Sequence, residues 1–190
     1  MNKKKYNIKI QKAHNTLLMI GMFSIVMLFA GLTSAYIVSK GSLASKWDYI
    51  NLPEMVYVST FLIIVSSFFA EKSVTYAKHN NFNLITRCLL FAIIFGFLFT
   101  LFQFFGWSDL INNGKFFTGN NVASSYIYVL TVTHIFHFLA GIIVLLVGLF
   151  QAYKKKYHSE NLHGLKLSVR FWHFLTVLWV YIFLFLLLIN

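Results

Sequence analysis

Residues 126–153 read YIYVLTVTHIFHFLAGIIVLLVGLFQAY, a run of twenty-eight residues without one formal charge. A helix needs about 20 residues to cross a hydrocarbon core of about 30 Å, and this run exceeds that. Only a helix or a closed barrel satisfies its own backbone in lipid, and nothing here alternates polar with apolar as a barrel strand does. At 100° per residue His134, His137, Gly141 and Gly148 fall on one narrow stripe of such a helix. Glycines admit a close neighbour, and imidazoles in lipid need partners, so the stripe is expected to face protein.

Working outward, similar runs occur at 16–39, 55–70, 88–107 and 171–189. The second is short and is expected to continue as helix past Glu71, with Lys72 snorkelling to the headgroups. The expected spans are 16–39, 55–77, 86–107, 124–153 and 169–189. The fold class read from them is all-α: a polytopic membrane protein of five transmembrane helices, forming a single membrane domain over 1–190. Composition agrees. Of 190 residues 58% are hydrophobic, 19% aromatic and only 11% charged, with one Pro. Globular domains carry roughly 25% charged residues, so a soluble enzyme is excluded. A disordered tail is excluded as well, and Cys88, the single cysteine, cannot anchor a disulfide scaffold. No repeat supports an inverted-repeat transporter.

The formal charge of +11 would in a soluble chain suggest nucleic acid. Its distribution argues for a membrane surface instead. Lys and Arg number five in the N-terminal arm, three between the second and third runs (Lys72, Lys78, Arg87), and five between the fourth and fifth. The opposite side holds just Lys40, Lys46 and Lys115, balanced by Asp48, Glu54 and Asp109. Basic loops stay inside, so the N-terminus is expected to be cytoplasmic and the C-terminus outside. Anionic headgroups then neutralise the excess, and no nucleic-acid partner is required. The first run is longer than a signal-peptide core of about 7–15 residues, so a retained helix is favoured over a cleaved leader.

Chemistry in such a chain has to come from polar residues in the spans. Structural hydrogen bonding is favoured over metal binding for His134 and His137, since two imidazoles without a third ligand make a thin metal site. Gln103 is expected to hydrogen-bond to another helix. Trp172 and Trp179, seven apart, read as packing, with Trp172 also suited to the interface belt. Arg170, Lys154, Lys155 and Lys156 are expected to hold lipid headgroups. Glu71 reads as a solvated or paired carboxylate. Gly31 and Ala35, four apart, suggest a close-packing seam for the first helix.

These motifs carry a resemblance. His134-Ile-Phe-His137 within residues 128–141 resembles the histidine-rich helix of subunit III of haem-copper terminal oxidases. Residues 170–179, RFWHFLTVLW, are similar to that family's closing Trp-His-Phe motif, which ends in a Trp seven residues on. Residues 22–36 (MFSIVMLFAGLTSAY) resemble its first conserved helix, and Ser66-Ser67 with Gln103 fits the middle pair. The resemblance covers about residues 14–188 and fits the short, five-helix bacterial form. It implies a non-catalytic subunit III of a cytochrome c oxidase in the bacterial cytoplasmic membrane. Such a subunit supports subunit I by packing and bound phospholipid during oxygen reduction and proton pumping. It also implies haem and copper in partner subunits and no redox centre on this chain. Oxidase subunits I and II are the partners, with a larger respiratory supercomplex as a further assembly. His134, His137, Trp172, His173 and Trp179 match family motif positions. Two acids are missing: Ile25 stands where the family usually has a buried glutamate, and Thr176 where it usually has an aspartate. Those departures fit a divergent paralogue. A quinol oxidase subunit III, a small transporter using His134, His137 and Glu71, and a haem-binding electron carrier are the alternative readings.

Overall fold

The computed structural model describes residues 3–118, 121–155, 157 and 162–189, with side chains described from residue 9 onward. Five long helices make up almost all of it: α1 (Lys3–Ser42), α2 (Glu54–Lys78), α3 (Phe82–Asn112), α4 (Val122–Tyr153) and α5 (His163–Ile189). All five are long and apolar enough to cross a membrane. Each exceeds the apolar run that nucleates it. At 1.5 Å per residue, 40-residue α1 is about 60 Å long, so its basic N-terminal turns project beyond a hydrocarbon layer.

Local chemistry sets the breaks. Pro53, which cannot continue a helix backwards, precedes α2. The Asn81 side chain accepts from the Leu84 N–H at the start of α3. The Asn121 side chain accepts from the Ala123 N–H at the start of α4, 3.0 Å away. Asn121 also exchanges two hydrogen bonds with the Asp48 backbone, at 3.1 and 3.2 Å, tying the α1–α2 and α3–α4 connections together. Gly114 takes φ +72°, the left-handed conformation that ends α3 and turns the chain.

Register follows from side-chain contacts. Ser59 meets Gln103 while Ser66 meets the Ala92 carbonyl, so α2 and α3 run antiparallel, and they form the largest interface of the bundle. Thr60 pairs with Trp179 and Ser66 with Trp172, which makes α5 antiparallel to α2. Thr33 pairs with Tyr181, on α5, and His14 stacks on His163, so α1 runs parallel to α5. The main core lies among α2, α3, α4 and α5, around Ile63, Leu89, Phe99, Phe138, Trp172 and Trp179. A second core, under α1 at the other end, gathers Phe29, Tyr36, Tyr128, Ile182 and Phe185.

The packing of α1 differs from expectation. Gly31 and Ala35 are exposed, and a Cβ at Gly31 would meet nothing within 4 Å. The helix docks instead through Phe29, Thr33 and Tyr36, all buried at helical spacing. Tyr36 packs edge-on against Trp47, Tyr126 and Phe185, and Ser39 shares a 2.7 Å hydrogen bond with the Tyr126 hydroxyl. Interlocking rings and paired hydroxyls hold this interface, and Gly31 and Ala35 do not face the other helices of this chain. Elsewhere on α1, Leu17, Met19, Ile20, Phe23 and Met27 are bare apolar surface.

Candidate functional site

Four buried hydroxyls of the bundle lie on α2: Ser59, Thr60, Ser66 and Ser73. Ser59, Ser66 and Ser73 recur every seven residues, and all are fully buried. Gln103 Nε2 donates to Ser59 Oγ at 2.6 Å. Trp179 Nε1 donates to Thr60 Oγ1 at 3.0 Å, and Trp172 Nε1 donates to Ser66 Oγ at 3.1 Å. Each hydroxyl passes its own proton on to a backbone carbonyl: Ser59 and Thr60 to Val56, Ser66 to Ala92 on α3. These hydroxyls thus satisfy the indole and amide donors that lipid would leave stranded.

Trp172 is fully buried, so it does not belong to an interface belt. Its ring fills a slot cut by two glycines. A Cβ on Gly96 would come within 2.9 Å of the indole, and one on Gly141 within 3.3 Å of it and 2.5 Å of Leu175. The Gly141 half of that slot lies on the stripe that carries His134.

His134 is also fully buried, but it departs from the hydrogen-bonding expectation. Neither ring nitrogen has a partner. The imidazole stands in an aromatic cage instead, with ring centroids at 5.0 Å to Trp179, 6.0 Å to Phe138, 6.1 Å to Phe99 and 6.4 Å to Phe29. Four helices contribute to it. Stripe geometry correctly turned His134 inward, but the groups that meet it there are rings, whose π faces are weak acceptors only. With its faces and edges covered by rings, the imidazole offers no room to a haem. The cavity bordered by Gln103, Thr131 and Trp179 has space for about one water. His137 is half-buried, with Nδ1 2.8 Å from the Thr133 carbonyl and its ring against Phe29.

His173 bridges α5 to α2. Its Nδ1 lies 2.5 Å from Ser67 Oγ and its Nε2 3.0 Å from Glu71 Oε2. Glu71 and His173 are part-exposed, so the pair contributes at most about 1 kcal/mol. Among the described residues no three or more His, Cys, Asp and Glu gather as a metal site.

The expected headgroup cations have different surroundings. Lys154 sits over the Phe150 ring at 4.2 Å. Lys155 shares an open recess with Arg87 and Thr86. Arg170 is exposed on α5, within electrostatic reach of His163. Lys156 lies outside the described residues. Sequence reasoning missed Ser59 and Thr60; the seven-residue serine repeat was the available signal for the first.

Comparison with known proteins agrees with this architecture. The family model for cytochrome c oxidase subunit III matches residues 2–189. The chain is 28% identical over 187 residues to the cytochrome bo(3) ubiquinol oxidase subunit 3 of Buchnera aphidicola, covering 96% of each chain. It is 26% identical to the cytochrome c oxidase subunit 3 of Corynebacterium diphtheriae, over 84% of this chain and 80% of that one. It is 25% identical to a probable quinol oxidase subunit 3 of Staphylococcus saprophyticus, over 72% of this chain and 67% of that one. A match that runs from the basic arm to the end of the last helix takes in all five helices and the residues that pack them, and on that ground this chain belongs to the cytochrome c oxidase subunit III family.

Proposed function

We propose that this chain works as subunit III of a respiratory haem-copper oxidase. In this reading it is a single membrane domain with its N-terminus in the cytoplasm and its C-terminus outside. It carries no redox centre and supports subunit I through helix packing and bound phospholipid while the complex reduces oxygen and pumps protons. The observation that carries it is the family match over residues 2–189, combined with an interior given over to packing. The polar groups on α2 are spent on tryptophan and glutamine donors, and His134 is enclosed by rings. Such an interior builds a rigid scaffold. The bare apolar surface of α1 fits contact with lipid or with subunits I and II.

The test is to delete this chain and isolate the remaining oxidase. The expected result is oxygen consumption that starts near normal and is lost progressively with turnover. Unchanged proton uptake and unchanged durability would overturn the supporting role. Cytochrome c is the proposed electron donor. Quinol is the second reading, favoured by the Buchnera relative, which matches over 96% of both chains. Activity of the purified complex with reduced cytochrome c against ubiquinol separates the two.

A further inference from the structure

Where α3 begins and α4 ends, the two helices border an open recess of about 590 Å³. Asn83, Thr86, Arg87 and Lys155 supply its polar lining, and Phe82 and Tyr153 are apolar neighbours. The two cations come from different elements: Arg87 lies in the second turn of α3, and Lys155 in the turn that ends α4. Among the described residues neither meets a carboxylate. Glu71 pairs with His173, and Asp48, Glu54 and Asp109 belong to the opposite end of the bundle. Glu160 lies outside the described residues. The Thr86 hydroxyl already donates to the Phe82 carbonyl at 3.0 Å, which leaves the guanidinium, the ammonium and the Asn83 amide as donors for an anion. The Phe82 and Asn83 N–H groups, in the first turn of α3, have no acceptor within the helix and add positive potential. Lys155 takes φ +52°, a left-handed turn closed by its N–H on the Ala152 carbonyl at 2.9 Å, which glycine adopts more readily. Away from the recess the surface turns apolar. At 100° per residue Asn83, Arg87, Leu90, Ile94 and Phe97 share one stripe of α3, and the last three are exposed. From Arg87 to Phe97 the helix rises about 15 Å, half of a hydrocarbon core of about 30 Å.

We propose that this recess binds the phosphodiester headgroup of one anionic phospholipid, with Arg87 and Lys155 on the phosphate and an acyl chain along Leu90, Ile94 and Phe97. A guanidinium presents two parallel N–H donors to phosphate oxygens, and an ammonium adds a point charge beside them. A free phosphate would use the polar lining alone and leave the apolar stripe below it without a part. A zwitterionic headgroup would bring its own ammonium next to two cations that no described carboxylate offsets, so the recess favours a net negative lipid. Of the four cations expected from the sequence to hold headgroups, Lys155 lines this recess, and Arg87 joins it from α3. Lys154 is engaged with the Phe150 ring instead. A lipid held there bridges the start of α3 and the end of α4. The inference deepens the phospholipid part of the function proposed above and rests on that reading for its role, while the binding itself belongs to the chain alone.

The experiment reconstitutes the full-length chain in nanodiscs of phosphatidylcholine with a minor share of phosphatidylglycerol, then counts the lipids it retains by native mass spectrometry in mild detergent. One phosphatidylglycerol per chain is expected, enriched about tenfold or more over its share of the bilayer. Arg87→Gln and Lys155→Gly should each abolish the enrichment, while Lys115→Gln, beyond the far end of α3, keeps it. Lys155→Gly removes the cation and gives the left-handed turn its preferred residue, so its thermal unfolding should match or exceed the parent's. That variant keeps the test available even if Arg87→Gln does not fold. Inorganic phosphate in excess should not displace the lipid; displacement would assign the recess to a free anion and overturn the proposal. So would absence of enrichment in the parent, equal retention of phosphatidylcholine, or enrichment that survives Lys155→Gly. Because the chain is measured without partner subunits, failure of the subunit III reading would show in co-purification and leave this result as it stands.

Discussion

Glycine and tryptophan meet at the point where single atoms decide the packing of this bundle. The indole of Trp172 lies 2.9 Å from where a Cβ on Gly96 would stand, and a Cβ on Gly141 would lie 2.5 Å from Leu175. Gly141→Ala should therefore destabilise the chain by about 1–3 kcal/mol through overpacking. Gly31→Ala, with open space around it, should be neutral or stabilising by up to about 1 kcal/mol. Thermal unfolding of the two variants in detergent checks the contrast, and equal effects would remove the slot argument. His134 gives an opposite kind of expectation. Its nitrogens have no partners and its neighbours are rings. His134→Phe should consequently leave stability within about 1 kcal/mol of the parent, because no hydrogen bond is lost. A large loss of stability in the same unfolding assay would mean that the imidazole is polar-bonded in the working protein. Inward placement of His134 was legible from its stripe with Gly141 and Gly148. The nature of the cage was not, because Phe29, Phe99 and Trp179 come from three other helices and only tertiary register brings them to one point.

At the scale of elements, the helices themselves were plain from charge-free runs such as 126–153, since lipid leaves the backbone few alternatives. Their ends ran further than the apolar residues indicate. α3 begins at Phe82 and α1 at Lys3, because helical hydrogen bonding continues into the aqueous zone once the span is formed. Within this chain α1 docks on a different stripe from the one its small residues suggest. Gly31 and Ala35 have the spacing of a close-packing pair, yet the buried face is Phe29, Thr33 and Tyr36. Spacing alone cannot say which of several stripes on an almost wholly apolar helix finds a neighbour. The docked stripe yields a prediction. Tyr36→Ala removes a ring packed against Trp47, Tyr126 and Phe185, at a cost of about 3–5 kcal/mol. Hydrogen exchange should then rise along α1 while α2 and α3 stay protected. Uniform exchange across all helices would show that α1 is not separately hinged to the bundle.

For the whole molecule, the proposed orientation rests on the charge distribution and the helix count. Thirteen of the sixteen basic residues fall in the N-terminal arm or near the α2–α3 and α4–α5 junctions. A protease-cleavable tag at the C-terminus should be removed from intact spheroplasts, and the same tag at the N-terminus should survive; the reverse pattern would invert the topology. In the proposed function this chain acts beside oxidase subunits that carry the redox groups. The most direct test is therefore to purify the full-length chain by affinity from native membranes in mild detergent and record the haem spectrum of what accompanies it. The account predicts stoichiometric haem together with oxidase subunits I and II. A monodisperse chain with no haem absorbance and no companion subunits would contradict it.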